Sequence, residues 1–159
     1  MTITDRISLQ DYCYVDSLHT QTWTMGDSTR EVLGYTCQQA TADFSGRRWI
    51  AWFAMDIPVS DGPWKLGGLP GLILEAYDER QQHVFTSVGL ERVKDELIIF
   101  NRPFGDNHRF EQTNRLELLR MERRFLMDSN SFIQMETGID LLGDEPNQVM
   151  RYDLFERDY

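Results

Sequence analysis

Three histidines (His19, His83, His108), two cysteines (Cys13, Cys37) and two aspartates close in sequence (Asp56, Asp61) are the residues whose types most readily suggest chemistry. The histidines lie far apart and none falls in an HxH, HExxH or CxxC pattern, so a zinc site would have to collect ligands from distant segments. Surface or hydrogen-bonded histidines are the simpler reading, and neither a metal nor a cofactor is expected. Serine chemistry finds no GxSxG elbow, and no GK[ST] follows the glycines to cradle a phosphate. Cys37 has no basic neighbour in sequence to lower its thiol pKa, which leaves it as a small core residue or a disulfide partner of Cys13. Asp56 and Asp61 flank Ile57-Pro58; such a pair suits acid–base hydrolysis, but acids bordering a Pro/Gly turn are more often solvated turn formers.

The surrounding composition narrows the class of protein. With 159 residues, 41% apolar and 26% charged, the chain reads as one globular domain, 1–159, rather than a disordered or disulfide-dense one. Sixteen basic against 26 acidic residues give a net charge of −10, the wrong sign for gripping phosphate backbones, so nucleic acid and anionic membranes are poor partners. All the basic residues but Lys65 and Lys94 are arginines, which suits forked ion pairs within the protein. No segment approaches the ~18 apolar residues of a membrane-spanning helix, and Met1 to Gln10 has no apolar run of a secretory leader.

Two textures divide the chain near residue 101. Residues 6–16 alternate like a strand, as does the short segment Gln21 to Met25. Gly26-Asp27-Ser28 then reads as a turn into a strand from about Arg30 to Phe44, and Ser45-Gly46 reverses the chain into Arg47 to Ile57. That last strand is apolar on both faces, with Trp49, Ala51, Phe53, Met55 and Ile57 on one side and Ile50, Trp52 and Ala54 on the other. It is expected to be central, and to end at Pro58. Leu72 to Tyr77, His83 to Val93 and Glu96 to Phe100 complete about seven strands, with a turn over Asp78 to Gln82. Beyond Asn101 the period changes, and Asp106 is placed to cap one long amphipathic helix over about Asn107 to Met127. Phe110, Leu118, Leu119, Met121, Phe125 and Leu126 form its stripe, and an acid-rich tail, 136–159, follows. The fold class expected is therefore β-rich α+β: a curved, mostly antiparallel sheet, a meander or half-barrel, with that helix packed on it. Trp23, Trp49, Trp52 and Trp64, with Tyr35 and Phe53, either pack its core or line a cavity for an apolar ligand.

Gly68 to Ile73 spell GLPGLI, preceded in order by Trp23, Gly34-Tyr35-Thr36-Cys37 with Ala40, Gly46-Arg47 ahead of Trp52, Ile57-Pro58 and Gly62-Pro63, and followed by Glu75. Over residues 20–77 this pattern resembles the GLPGLI family, also called Porph_ging, of exported bacterial proteins. The family carries no established activity. The resemblance implies a place in the periplasm or at the cell surface. It also implies further β structure ahead of Met1, so the chain is expected to lack an N-terminal part and to expose its first strand at a sheet edge open to self-association.

Two readings of the motif follow from its residues. In the first, Pro70 and Gly71 occupy the central positions of a type II turn, with Gly71 at positive φ, and the leucines plug the core. In the second, Trp64, Leu66, Leu69, Pro70 and Gly71 form an apolar lip that binds a ligand or partner. The function expected is a non-catalytic envelope module binding a protein partner or an apolar molecule. The alternatives are a hydrolase using Asp56 or Asp61, or a carrier of an apolar ligand.

Overall fold

The computed structural model describes residues 1–93, 110–143, 149 and 154–157. They fall into two compact units, one formed by Met1–Asp16 with the described residues between Arg102 and Arg157, the other within Ser17–Asn101. The expected strand Glu96 to Phe100 and the expected cap Asp106 lie outside the described residues.

In the first unit, β1 (Thr2–Ile7) and β2 (Gln10–Val15) form an antiparallel hairpin, and β8 (Glu111–Gln112) joins β2 in parallel, giving the order β1-β2-β8. The single strand expected over residues 6–16 is thus a hairpin, because Ser8 takes a left-handed φ of 57° and reverses the chain. Among the described residues β1 is an edge strand. Two helices follow, α1 (Arg115–Met127) and α2 (Ser129–Thr137), in place of one long helix from Asn107. Asn114, in extended conformation, starts α1 by accepting from the Glu117 N–H, and the residues just before it are committed to β8. Asp128 divides the helices: its N–H donates to the Arg124 carbonyl, and its carboxylate accepts from the Ser131 N–H to start α2. Ile7, Tyr12 and Tyr14 pack with Leu118 and Phe132, and Phe125 meets Phe132 edge-on at 5.6 Å. Asn114→Ala is expected to destabilise this unit by about 1 kcal/mol, the usual cost of a lost helix cap, visible as an earlier loss of helical ellipticity on heating.

The second unit is a five-stranded antiparallel meander in sequence order: β3 (Thr24–Val32), β4 (Tyr35–Phe44), β5 (Arg47–Ala54), β6 (Leu72–Asp78) and β7 (Val84–Thr86). Ser45 and Gly46, at φ 52° and 72°, make the expected tight turn between β4 and β5. The β3–β4 turn falls at Leu33-Gly34, with φ 52° and 79°, rather than at Gly26-Asp27-Ser28. The latter segment sits inside β3 at a register shift between Met25 and Thr29, where the Gly26 carbonyl accepts from Gln38 Nε2. β5 is the central strand, as its two apolar faces imply, but it stops at Ala54, so Met55 and Ile57 belong to the following loop. Residues 87–93, expected as strand, are not part of β7. The sheets are separate and, among the described residues, neither closes on itself, so the half-barrel is replaced by a hairpin-based sheet and a meander.

Candidate functional site

The loop of residues 55–71 between β5 and β6 holds the hexapeptide and decides what the second unit presents. Along β5, Trp49 pairs with Ala42 and Ala51 with Ala40, which puts small side chains beside the indole. Trp64 of the loop lies 5.7 Å from both Trp49 and Phe44, so the loop covers this face of the sheet. Leu66 and Leu69 are fully buried, at 0% and 1% exposure, and Lys65 is buried beside them with its ammonium 5.5 Å from the Trp64 ring. Of the five residues expected to form a lip, then, Leu66, Leu69 and Gly71 lie inside, Trp64 is half-buried in an aromatic stack, and Pro70 is exposed.

The motif is held by backbone contact rather than by the turn expected. Gly71 has no positive φ; a Cβ built on it would lie 2.1 Å from the Ala54 carbonyl oxygen, so the strand end of β5 and the loop touch main chain to main chain. On the other side, residues 19–23 clamp the loop. Gln21 Nε2 donates to the Lys65 carbonyl at 2.7 Å, Trp23 Nε1 donates to the Gly67 carbonyl at 2.8 Å, and the His19 ring lies where a Gly67 Cβ would be, 2.4 Å from Nε2. Trp23 and the glycines thus share one task, fixing residues 65–68 against the sheet.

The groups expected to do chemistry do not converge. Asp56 is exposed in the turn after β5, and Asp61 is exposed with one oxygen accepting from the Gly62 N–H at 2.8 Å. His19 Nε2 stands 3.7 Å from that oxygen, beyond hydrogen-bond distance. Cys13 and Cys37 are both buried free thiols, one in each unit. Burial pushes the Cys37 thiol pKa up, outweighing Arg30, its partner across the β3–β4 ladder, so it is a core residue and a poor nucleophile at neutral pH. Among the described residues no three His, Cys, Asp or Glu side chains gather into a metal site, and no helix is long and apolar enough to cross a membrane.

Ion pairs, anticipated from the arginine content, brace both units. Arg6 pairs with Asp11 at 2.6 Å, Arg115 with Glu156, and Arg30 with Glu75 at 2.5 Å while its guanidinium lies 4.1 Å from the Trp52 ring centroid. Arg47, beside the β4–β5 turn, is buried with Asp78 at 3.0 Å. The carboxylate also accepts from the His83 N–H, and the same guanidinium nitrogen donates to Gln82 Oε1.

What remains open in this unit is its β7 side. Gly62 and Pro63 of the loop, Leu72 to Leu74 of β6 and Val84 to Ser87 enclose a groove of about 520 Å3. β6 and β7 exchange bonds at Asp78–His83 and at Ser87–Leu74. Alternation along the ladder therefore turns the N–H and C=O of Val84 and Thr86 away from β6. Nothing among the described residues pairs with that edge. The opposite edge, β3, is blunted by its register shift and by Asp27, Arg30 and Glu31, whereas β7 carries no charge and is continued by exposed Val88 and Leu90. Sequence reasoning missed this groove because a strand's edge position depends on pairing; the only local signal was the absence of charge from Val84 to Leu90.

A clamped, loop-plugged meander with an open edge is the class of unit defined here. Residues 45–75, from the β4–β5 turn into β6, match the model of the Porph_ging family, a protein family of unknown function. No curated protein matches the chain. Two solved structures of PNGF-II are similar to it, one in space group P21 (18% identity, TM-score 0.43, covering 72% of this chain) and one in C2 (17%, 0.48, 76%). The chain spans about a fifth of those PNGF-II chains, 21% and 22%.

Proposed function

We propose that the chain is a non-catalytic binding module of the GLPGLI type that takes an extended, uncharged segment of a partner protein along the free edge of β7. The periplasm or cell surface, where the resemblance places such proteins, is its proposed site of action. One observation carries the reading: an uncharged sheet edge with outward-facing main-chain groups borders a groove of about 520 Å3 walled by Leu72 to Leu74 and Phe85. Main-chain hydrogen bonds along such an edge supply affinity, and a groove beside it selects side chains. The plugged loop serves this arrangement by holding Gly62 and Pro63 against β6, where the Ile73 N–H donates to the Asp61 carbonyl.

Selection of displayed peptides on the full chain tests the reading. Uncharged sequences with alternating apolar residues are expected to enrich on the wild type and to lose binding to Thr86→Pro. That substitution removes an outward N–H yet is tolerated on an edge strand, because the lost donor faces solvent. Enrichment unaffected by Thr86→Pro, or no enrichment, would count against the edge. A second reading, a hydrolase built on Asp61, has His19 at 3.7 Å as its one favouring observation. A broad hydrolase screen of the wild type, Asp56→Asn and Asp61→Asn should find no turnover; turnover abolished by either substitution would replace the binding module with an enzyme.

A further inference from the structure

The groove beside β7 has an aromatic wall that is in place before any partner arrives. Phe85 pairs with Ala76 of β6, and Ala76 with Ala51 of β5, so the phenyl ring lies on the same face of the sheet as Trp49, two positions before Ala51. The two rings stack at 6.1 Å with 26° between their planes. Trp49 is fully buried and meets Trp64 at 5.7 Å, and Trp64 meets Phe44 at 5.7 Å. Phe44, Trp64, Trp49 and Phe85 therefore form a row of rings that ends at the groove on half-buried Phe85. Packing against a buried indole holds Phe85 in position, so little ordering of this wall is left to be done on binding. Gly62 and Pro63, from the loop that covers the same face, line the groove with it, and among the described residues no charged side chain does.

We propose that this groove is a subsite for one aromatic side chain of the segment that adds to β7, with Phe85 as the residue that selects it; the inference rests on the edge reading above and names the chemistry of the partner there. The bonds that His83 and Ser87 make to β6 leave Phe85 turned towards β6 and Val84 and Thr86 turned outwards. In an antiparallel addition the partner residue across from Phe85 then falls in a non-hydrogen-bonded pair, where Cα atoms are about 4.5 Å apart and side chains approach most closely. Its side chain shares the face of Phe85 and enters the groove, while its two neighbours, bonded to Val84 and Thr86, point to the other face. An aromatic ring there extends the row by one member, at the ~4.5–7 Å spacing that offset or tilted rings prefer. Charge complementarity agrees, because the uncharged lining offers nothing to offset the desolvation of an ionised side chain. Leucine would bury apolar area in the groove without the ring–ring attraction.

Affinities of the full chain for blocked peptides Ser-Thr-Val-X-Val-Thr-Ser, with X as Phe, Trp, Leu or Glu, test this; about seven residues slightly exceeds a usual strand. The Phe and Trp peptides are expected to bind about threefold to tenfold more tightly than the Leu peptide, the advantage of an aromatic pair beyond its area, and the Glu peptide is expected to bind weakest. Phe85→Leu should abolish the preference while still binding the Leu peptide, which shows fold and edge intact, and Phe85→Tyr should keep the preference because it keeps the ring. Equal affinity for the Phe and Leu peptides, with both weakened by Thr86→Pro, would overturn the aromatic subsite and leave the edge reading standing. A preference for Phe and Trp that survives Phe85→Leu would overturn the subsite as well, and binding of none of the peptides would overturn both the subsite and the edge.

Discussion

Arg47→Met is expected to destabilise the second unit by about 3–5 kcal/mol, the scale for removing one partner of a buried ion pair. Arg47 and Asp78 have side-chain exposures of 1% and 3%, so the Asp78 carboxylate would be left without its counter-charge in a place water does not reach. Replacing both residues together with apolar side chains should recover much of the loss, because the penalty lies in the orphaned charge rather than in the absent attraction. The same carboxylate sets an acid limit. Burial alone would raise the Asp78 pKa, but the His83 and Gln82 N–H groups and then the Arg47 guanidinium outweigh it, and the net shift is downward. A carboxyl held below its unfolded value of about 3.9 contributes stability that is complete above that pH and is lost as the pH falls through the folded pKa. Denaturant midpoints of the wild type should therefore drop steeply below about pH 4. In Arg47→Met the folded pKa rises towards the unfolded one, so the drop should start at the same pH but be smaller and level off at higher pH, and an unchanged acid profile would mean the pair is not what sets it.

Gly71→Val is the second large effect. The cost comes from close approach and not from a forbidden φ: any Cβ at Gly71 meets the Ala54 carbonyl oxygen at 2.1 Å and its carbon at 2.6 Å, both main-chain atoms at the end of the central strand. Backbone cannot swing aside as a side-chain tip does, so about 3 kcal/mol or more is expected, at the upper end for overpacking. Gly68→Ala makes an informative contrast. Gly68 has φ +84°, but a Cβ there lies 3.6 Å from the nearest side-chain atom, so the cost should be about 1–2 kcal/mol of left-handed strain alone. Chemical denaturation of the two variants separates the causes; a Gly71→Val midpoint equal to that of Gly68→Ala would show that the loop can yield.

How far the chain could be read from its residues differs from element to element. β5 was legible because apolar residues on both faces leave a strand no place but the centre of a sheet, and Ser45-Gly46 was legible because its turn uses residues suited to positive φ. The Leu33-Gly34 turn was hidden by Leu33, an aliphatic residue at φ 52° that local preferences do not anticipate. Gly26-Asp27-Ser28 looked like a turn because the residues that accommodate a bulge are the residues that make turns. The helical stripe was read to its end at Met127, but its start was set at Asn107 rather than Arg115 because the pairing of Glu111 and Gln112 with β2 leaves no local mark, and α2 was missed because the second capping role of Asp128 depends on Ser131 three positions on.

The candidate sites were less legible than the fold. GLPGLI was found by its letters but misassigned in mechanism, since the 2.1 Å approach at Gly71 involves Ala54, 17 positions earlier in the chain. Trp23 was noticed, while its bond to the Gly67 carbonyl spans 44 positions.

Amide hydrogen exchange on the full chain, with and without a selected uncharged peptide of about six residues, a usual strand length, tests the central claim most directly. Free, Val84 and Thr86 should exchange quickly while Phe85, turned towards β6, is slower; bound, Val84 and Thr86 should become protected and Thr24–Val32 should not change. Protection confined to β3, or a bound peptide that leaves Val84 and Thr86 exchanging as before, would contradict strand addition at β7.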